Sequence, residues 1–186
     1  MTSLTGMPSA VSSRASIAWQ VPAATLLAAA GIAAAGLEPR ALPLLYLAAV
    51  TPALCSADLR QRRLPNRLVL PGYLVAVAGV VAQWLRFGEF PVVSLIAGVF
   101  YLGFLLLLGV AGGMGMGDVK LAGVLGLAAG LLGPTAAIVS PVVAFLAGGV
   151  AGIVALRRGG GASIPFGPFM LAGFWVAVLL AVGQSA

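Results

Sequence analysis

Residues 92–111 read VVSLIAGVFYLGFLLLLGVA, twenty positions without a charge, and they decide the fold class. A hydrocarbon core about 30 Å thick takes roughly 20 apolar residues of helix at 1.5 Å each, so this stretch has the length and composition of one membrane span. Six further apolar segments flank it, at about 17–37, 41–57, 68–86, 119–132, 135–156 and 164–183. Short polar or Gly/Pro-rich breaks separate them, including Glu38-Pro39-Arg40, Asp58 to Arg67, Arg86 to Pro91 and Arg157 to Gly161, which have the composition of loops. A lipid-exposed strand leaves backbone groups unpaired, and the ten-residue alternation of a membrane barrel is missing. The expectation is an all-α polytopic bundle of about seven transmembrane helices.

Composition points the same way. Of 186 residues, 61% are apolar and 8% charged, against about 25% charged in an ordinary soluble domain. That is too little charge to coat a water-facing surface, and the length leaves no room for a sizeable soluble domain. A net charge of +6 is of the sign that binds nucleic acid, but the cations lie between apolar segments rather than on an amphipathic face. The lone Cys55 cannot form an internal disulfide, and without histidine the familiar Cys/His zinc sites are excluded. Cys55 reads as a buried small apolar residue. The organisation expected is a cytoplasmic tail at 1–16, an uncleaved first helix at 17–37, and a membrane domain at 41–183. Neither a metal nor an organic cofactor is expected.

The charges also give a topology. With the N-terminus inside, eight of the ten cations fall on cytoplasmic segments: Arg14, Arg60, Arg62, Arg63, Arg67, Lys120, Arg157 and Arg158. Only Arg40 and Arg86 fall outside, each near a glutamate, Glu38 or Glu89. Six spans would strand Arg157 and Arg158 outside, against the positive-inside rule. The segment 119–132 is short, 14 residues or about 21 Å. The glycine-rich stretch Gly112-Gly-Met-Gly-Met-Gly-Asp118 before it is expected to dip into the inner membrane boundary, carrying Asp118 with it.

The chain has four acidic residues, Glu38, Asp58, Glu89 and Asp118. The glutamates fall in outer loops; Asp58 closes the second span and Asp118 opens the fifth, on the same predicted side. Ionisable groups near membrane depth are expensive and mark functional sites. Two converging aspartates suit acid/base hydrolysis of a peptide bond, because at close range the pair shares one proton. One carboxylate then activates water while the protonated partner polarises the carbonyl. The bland readings are that Asp118 only caps its helix and that Asp58 only begins a charged, solvated loop. A proton or cation pathway is the functional rival. Gly115, Met116 and Gly117 would form a loop against which extended substrate could lie, since glycine permits close backbone approach. A phosphate cradle is disfavoured, because Lys120 lacks Walker spacing and no Ser/Thr is placed for magnesium. Lys120 itself is expected on another face of the helix from Asp118.

Three blocks, Asp58-Leu-Arg-Gln-Arg-Arg-Leu-Pro-Asn66, Gly115-Met-Gly-Asp118-Val-Lys-Leu121 and Ile164-Pro-Phe-Gly-Pro-Phe169, resemble in order and separation the type IV prepilin peptidase family, membrane aspartic proteases of the GxGD type. The resemblance covers roughly 41–183. It implies Asp58 and Asp118 as the catalytic pair, removing a short basic leader from pilin-like precursors at the cytoplasmic face of a bacterial inner membrane. The larger bifunctional members carry paired Cys-x-x-Cys motifs and an N-methyltransferase activity. One cysteine rules that carry-over out, and the chain looks like the short, peptidase-only kind associated with Flp or tight-adherence pili. Pro52-Ala-Leu54 echoes the presenilin-like GxGD block in the wrong place and reads as chance. Pro65-Asn66 is expected to shape and cap the turn into the third helix. Phe166 and Gly167 either wall the site or simply belong to a proline-bearing helix start. The arginine run sets topology, yet Arg60, Arg67 or Lys120 could attract an acidic residue just after the cut. The alternative function is a small proton-coupled transporter or channel using the same two aspartates.

Overall fold

The computed structural model describes residues 19–157 and 164–185. The expected tail at 1–16 with Arg14, and Arg158 in the last inner loop, lie outside the described residues. Among those described there are seven helices and no strand. In chain order they are α1 (Gln20–Ala35), α2 (Ala41–Gln61), α3 (Asn66–Phe87), α4 (Val92–Val110), α5 (Met116–Leu132), α6 (Pro134–Arg157) and α7 (Gly167–Ser185). Five of them, α2, α3, α4, α6 and α7, are long and apolar enough to cross a membrane.

The two shorter helices differ in kind. Helix α1 has 16 residues, about 24 Å, and packs on α2 and α7. Helix α5 has 17 residues, about 26 Å, and is the centre of the bundle: every residue from Leu121 to Leu131 is buried. Helices α3, α4, α6 and α7 surround it. A helix lined by protein does not have to match the hydrocarbon thickness, which explains how the shortest expected span can be the most enclosed.

Glycine makes that centre possible. A Cβ at Gly126 would lie 2.5 Å from the Ala97 carbonyl oxygen, and one at Gly130 would collide with the Ser94 Cα. Small residues thus let α5 and α4 touch backbone to backbone, the usual source of helix association where lipid competes for apolar contact. The buried Ser94 hydroxyl donates to the Leu127 carbonyl at 2.6 Å across this interface. Tyr73 of α3 donates to the Lys120 carbonyl at 2.7 Å, over Gly123, where any Cβ would strike the tyrosine oxygen. Gly173 plays the same part between α7 and α6, against Ser140 and Ala144.

Large apolar side chains cover the outside, among them Leu74, Leu85, Ile96, Val99, Leu107, Ile138, Leu146 and Val150. A contiguous apolar exterior of this extent belongs in lipid. Prolines 52, 71 and 141 lie inside helices, as membrane helices tolerate. Pro52 and Leu54 are core residues of α2. Cys55 is half-buried rather than buried and a free thiol.

Candidate active site

Alternating helix directions bring four chain segments to one end of the bundle: the end of α2, the α4–α5 loop, the end of α6 and the start of α7. They enclose a cavity of about 520 Å³ lined by Asp58, Arg62, the Gly112–Gly115 loop, Asp118, Gly152 and Phe166, among others. A neighbouring space of about 330 Å³ also has both aspartates in its wall, with Arg62, Arg63, Asn66 and Lys120. The two carboxylates, 60 positions apart, are close enough for the charge of Asp58 to act on Asp118.

Asp58 lies on the last turn of α2 and is 4% exposed. Its Oδ2 accepts the Gly167 N–H at 3.0 Å, at the first turn of α7. Only glycine fits there, since a Cβ would stand 2.8 Å from that oxygen. Beyond Asp58 the chain turns by a left-handed residue, Arg62 (φ 50°), whose N–H returns to the Asp58 carbonyl at 2.8 Å. That turn carries Arg62 and Arg63 to the cavity wall.

Asp118 is the third residue of α5, not its cap. The N-cap position belongs to Gly115, in extended conformation, so the capping reading of Asp118 takes the form of a third-position carboxylate turned back on the cap residue. The side chain reaches back toward the Gly115 amide, while its Oδ1 is buried without a hydrogen-bond partner. Unpartnered buried carboxylate oxygens are uncommon and call for an account. Each glycine of the tetrad has its own reason: a Cβ at Gly115 would sit 3.3 Å from Asp118 Oδ2, and one at Gly117 would sit 3.1 Å from the Leu64 Cβ. Gly117 therefore lets the α2–α3 loop close down on the helix that carries Asp118.

The remaining candidates divide. Phe166 and Gly167 are at the site, Phe166 in the cavity wall and Gly167 on Asp58, so the reading as a mere helix start is insufficient. Met116 lines the smaller space. Lys120, expected to face elsewhere, also lines it and donates to Asn66 Oδ1 at 3.3 Å. Asn66 is the first residue of α3 and takes that lysine instead of capping; Pro65 holds the cap position without a side-chain bond. Arg60 and Arg67 line neither space, whereas Arg62 and Arg63 do. No group of three or more potential metal ligands occurs among the described residues.

A family model described as the type IV leader peptidase family matches residues 44–156, more than half of the chain and inclusive of both aspartates. The chain belongs to the type IV leader peptidase family. Comparison with curated proteins and with solved structures finds no match. Membership makes this chain a leader-peptidase-like protease, and five apolar helices of spanning length suggest a multi-pass membrane protein. The third block, Ile164 to Phe169, falls beyond the matched range; what ties it to the candidate site of this leader peptidase is the Gly167–Asp58 hydrogen bond.

Proposed function

We propose that this leader peptidase is an aspartic endopeptidase that uses Asp58 and Asp118 as its catalytic pair to remove the basic leader from pilin-like precursors. The observation that carries the reading is the presence of both carboxylates in the wall of one cavity, with the charge of Asp58 acting on Asp118. Two such groups share a proton. The ionised member takes a proton from water as the water oxygen attacks the scissile carbonyl carbon. The protonated member donates to the carbonyl oxygen. The carbon–nitrogen bond then breaks as one member of the pair gives its proton to the leaving nitrogen and the other takes a proton from a hydroxyl of the tetrahedral intermediate, so a new carboxyl and a new amine leave and the pair again holds one proton.

The family membership favours this reading over the transporter alternative. Orientation follows from charge. Arg60, Arg62, Arg63, Arg67, Lys120 and Arg157 all belong to segments at the aspartate end. The far end has Arg40, bound to Glu38 at 2.8 Å, and Arg86. By the positive-inside rule this distribution supports a site at the cytoplasmic face, and the family resemblance supports a bacterial inner membrane. The peptidase unit is assigned to residues 41–183, with α1 an added helix. Methyl transfer is not assigned, because the paired cysteine motifs of bifunctional members are missing. Arg62, Arg63 and Lys120 are placed to attract an acidic residue near the cut, a role that Arg60 and Arg67 would fill only from outside the cavity walls.

The test is leader cleavage of a co-expressed pilin-like precursor by wild type, Asp58→Asn and Asp118→Asn, with membrane accumulation measured. Cleavage by wild type alone supports the pair; equal cleavage by all three removes it.

A further inference from the structure

Helix α2 is fastened to α7 by two hydrogen bonds, and only one of them reaches the acid site. That one is the Gly167 N–H on Asp58 Oδ2. The other lies deeper in the bundle, where the Trp175 indole N–H donates to the Thr51 hydroxyl at 3.0 Å. Thr51 gives its own proton to the Leu47 carbonyl at 2.6 Å, so the indole and the hydroxyl are both satisfied. Both residues are buried, and neither lines a cavity that holds the aspartates. Because 58 pairs with 167 and 51 with 175, the two helices run antiparallel. The contacts lie seven residues apart on α2 and eight apart on α7, about 10 Å and 12 Å of helix. These near-equal spacings fit one mutual register, and a slide of one residue on α7 would break both bonds.

We propose that Trp175 and Thr51 are positioning residues for Asp58: their hydrogen bond sets the register of α7 on α2 that holds the Gly167 N–H on the carboxylate. The proposal rests on the peptidase reading above. Helix α2 does not fix the direction of its own last turns. Pro52 lies inside it and has no N–H for the Ala48 carbonyl. The bond from Thr51 back to Leu47 is of the kind that bends helices, and proline is the commonest cause of a kink. The turns beyond Pro52, which carry Asp58, therefore take their direction from what they pack on. Trp175 grips α2 at this weak point, one residue before the proline. Gly167 is the first residue of α7, so its N–H has no partner inside the helix and is free for the carboxylate. Hydrogen bonds between helices in lipid add little to their association on average. What the Trp175–Thr51 bond supplies is alignment.

The experiment uses the full chain in lipid vesicles with a pilin-like precursor. Trp175→Phe keeps a ring without the N–H, Thr51→Val keeps the shape without the hydroxyl, and Thr51→Ser keeps the hydroxyl. The first two should each lower kcat about tenfold, a part of the hundredfold that a displacement of about 1 Å costs. KM should not change, since neither residue lines the cavities, and Thr51→Ser should stay close to wild type. Amide exchange at Gly167 should quicken in Trp175→Phe and Thr51→Val while the amides of α5 keep their protection, which separates lost register from lost fold. In a Gly167→Ala background neither substitution should lower kcat further, because effects that pass through one group do not add. If wild type cleaves and both variants keep its kcat, the proposal falls while the peptidase reading stands. It falls equally if their losses multiply with that of Gly167→Ala, or if exchange quickens throughout the bundle, since the bond would then be structural only. If wild type does not cleave, the peptidase reading fails and the positioning role falls with it.

Discussion

Gly167 holds Asp58 from a distance of 109 positions in the chain, its backbone N–H meeting the carboxylate Oδ2 at 3.0 Å. A helix start is thereby docked on one of the two candidate catalytic groups, and the room for a side chain at 167 is used up by the carboxylate itself. Gly167→Ala should lower kcat for leader cleavage by about a hundredfold, the cost of displacing a catalytic group by about 1 Å, with the protein still present in the membrane. Unchanged kcat in Gly167→Ala would show that the contact does not position Asp58.

The proposed pair, two carboxyls sharing one proton, gives kcat a defined pH dependence. Activity should fall on the acid side as the base becomes protonated and on the alkaline side as the shared proton is lost. The profile should show two titrations belonging to the pair rather than to either residue. A pH–rate profile in vesicles checks this, and a single acid limb with a flat alkaline side would argue for independent aspartates.

Gly115 and Gly117 should respond to alanine in different ways. At 117 the added Cβ meets Leu64 at 3.1 Å and the Leu64 backbone nitrogen at 3.4 Å, so it pushes on the loop between α2 and α3. At 115 it meets Asp118 Oδ2 at 3.3 Å, so it pushes on the carboxylate. Gly115→Ala is expected to depress kcat, and Gly117→Ala to depress both thermal stability and activity. Detergent melting curves alongside cleavage rates distinguish the two; equal losses of stability would count against the separation.

Packing at the centre gives a prediction independent of catalysis. Gly130→Ala places a Cβ against the Ser94 backbone and should destabilise the bundle by about 1–3 kcal/mol, the usual cost of overpacking. Leu26→Ala, on the exterior of α1 with 73% exposure, should be near neutral. Unfolding in a denaturing detergent series measures both, and comparable stability of the two variants would contradict a central α5.

Family membership and helix count could be read from the chain because both depend on local quantities. Apolar runs of spanning length register the free energy of moving each residue into lipid, which is additive along the chain, and the arginine run at 60–67 registers topology in the same way. The expected helix starts lie close to the observed ones: α4 begins at 92 as expected, and α5 begins at Met116 rather than 119. Lys120 is a candidate in the sequence, but neither the place of Arg62 in the cavity wall nor the contact of Lys120 with Asn66 is legible there. One depends on a left-handed turn at Arg62; the other depends on Asn66 being brought beside Lys120 by the packing of α3 on α5.

By itself the sequence determined the solvent, the number of helices, their alternation and the family, along with two aspartates on one side. The tertiary structure decided which helix is central, which glycine holds Asp58 and which side chains fasten α7 to α2. The physical reason is that a lipid solvent removes the contrast between inner and outer faces. Both faces of a membrane helix are apolar, so hydropathy says how many helices there are but not which surfaces meet. That is settled by shape, through small residues such as Gly126, Gly130 and Gly167 that let backbones and a carboxylate come into contact.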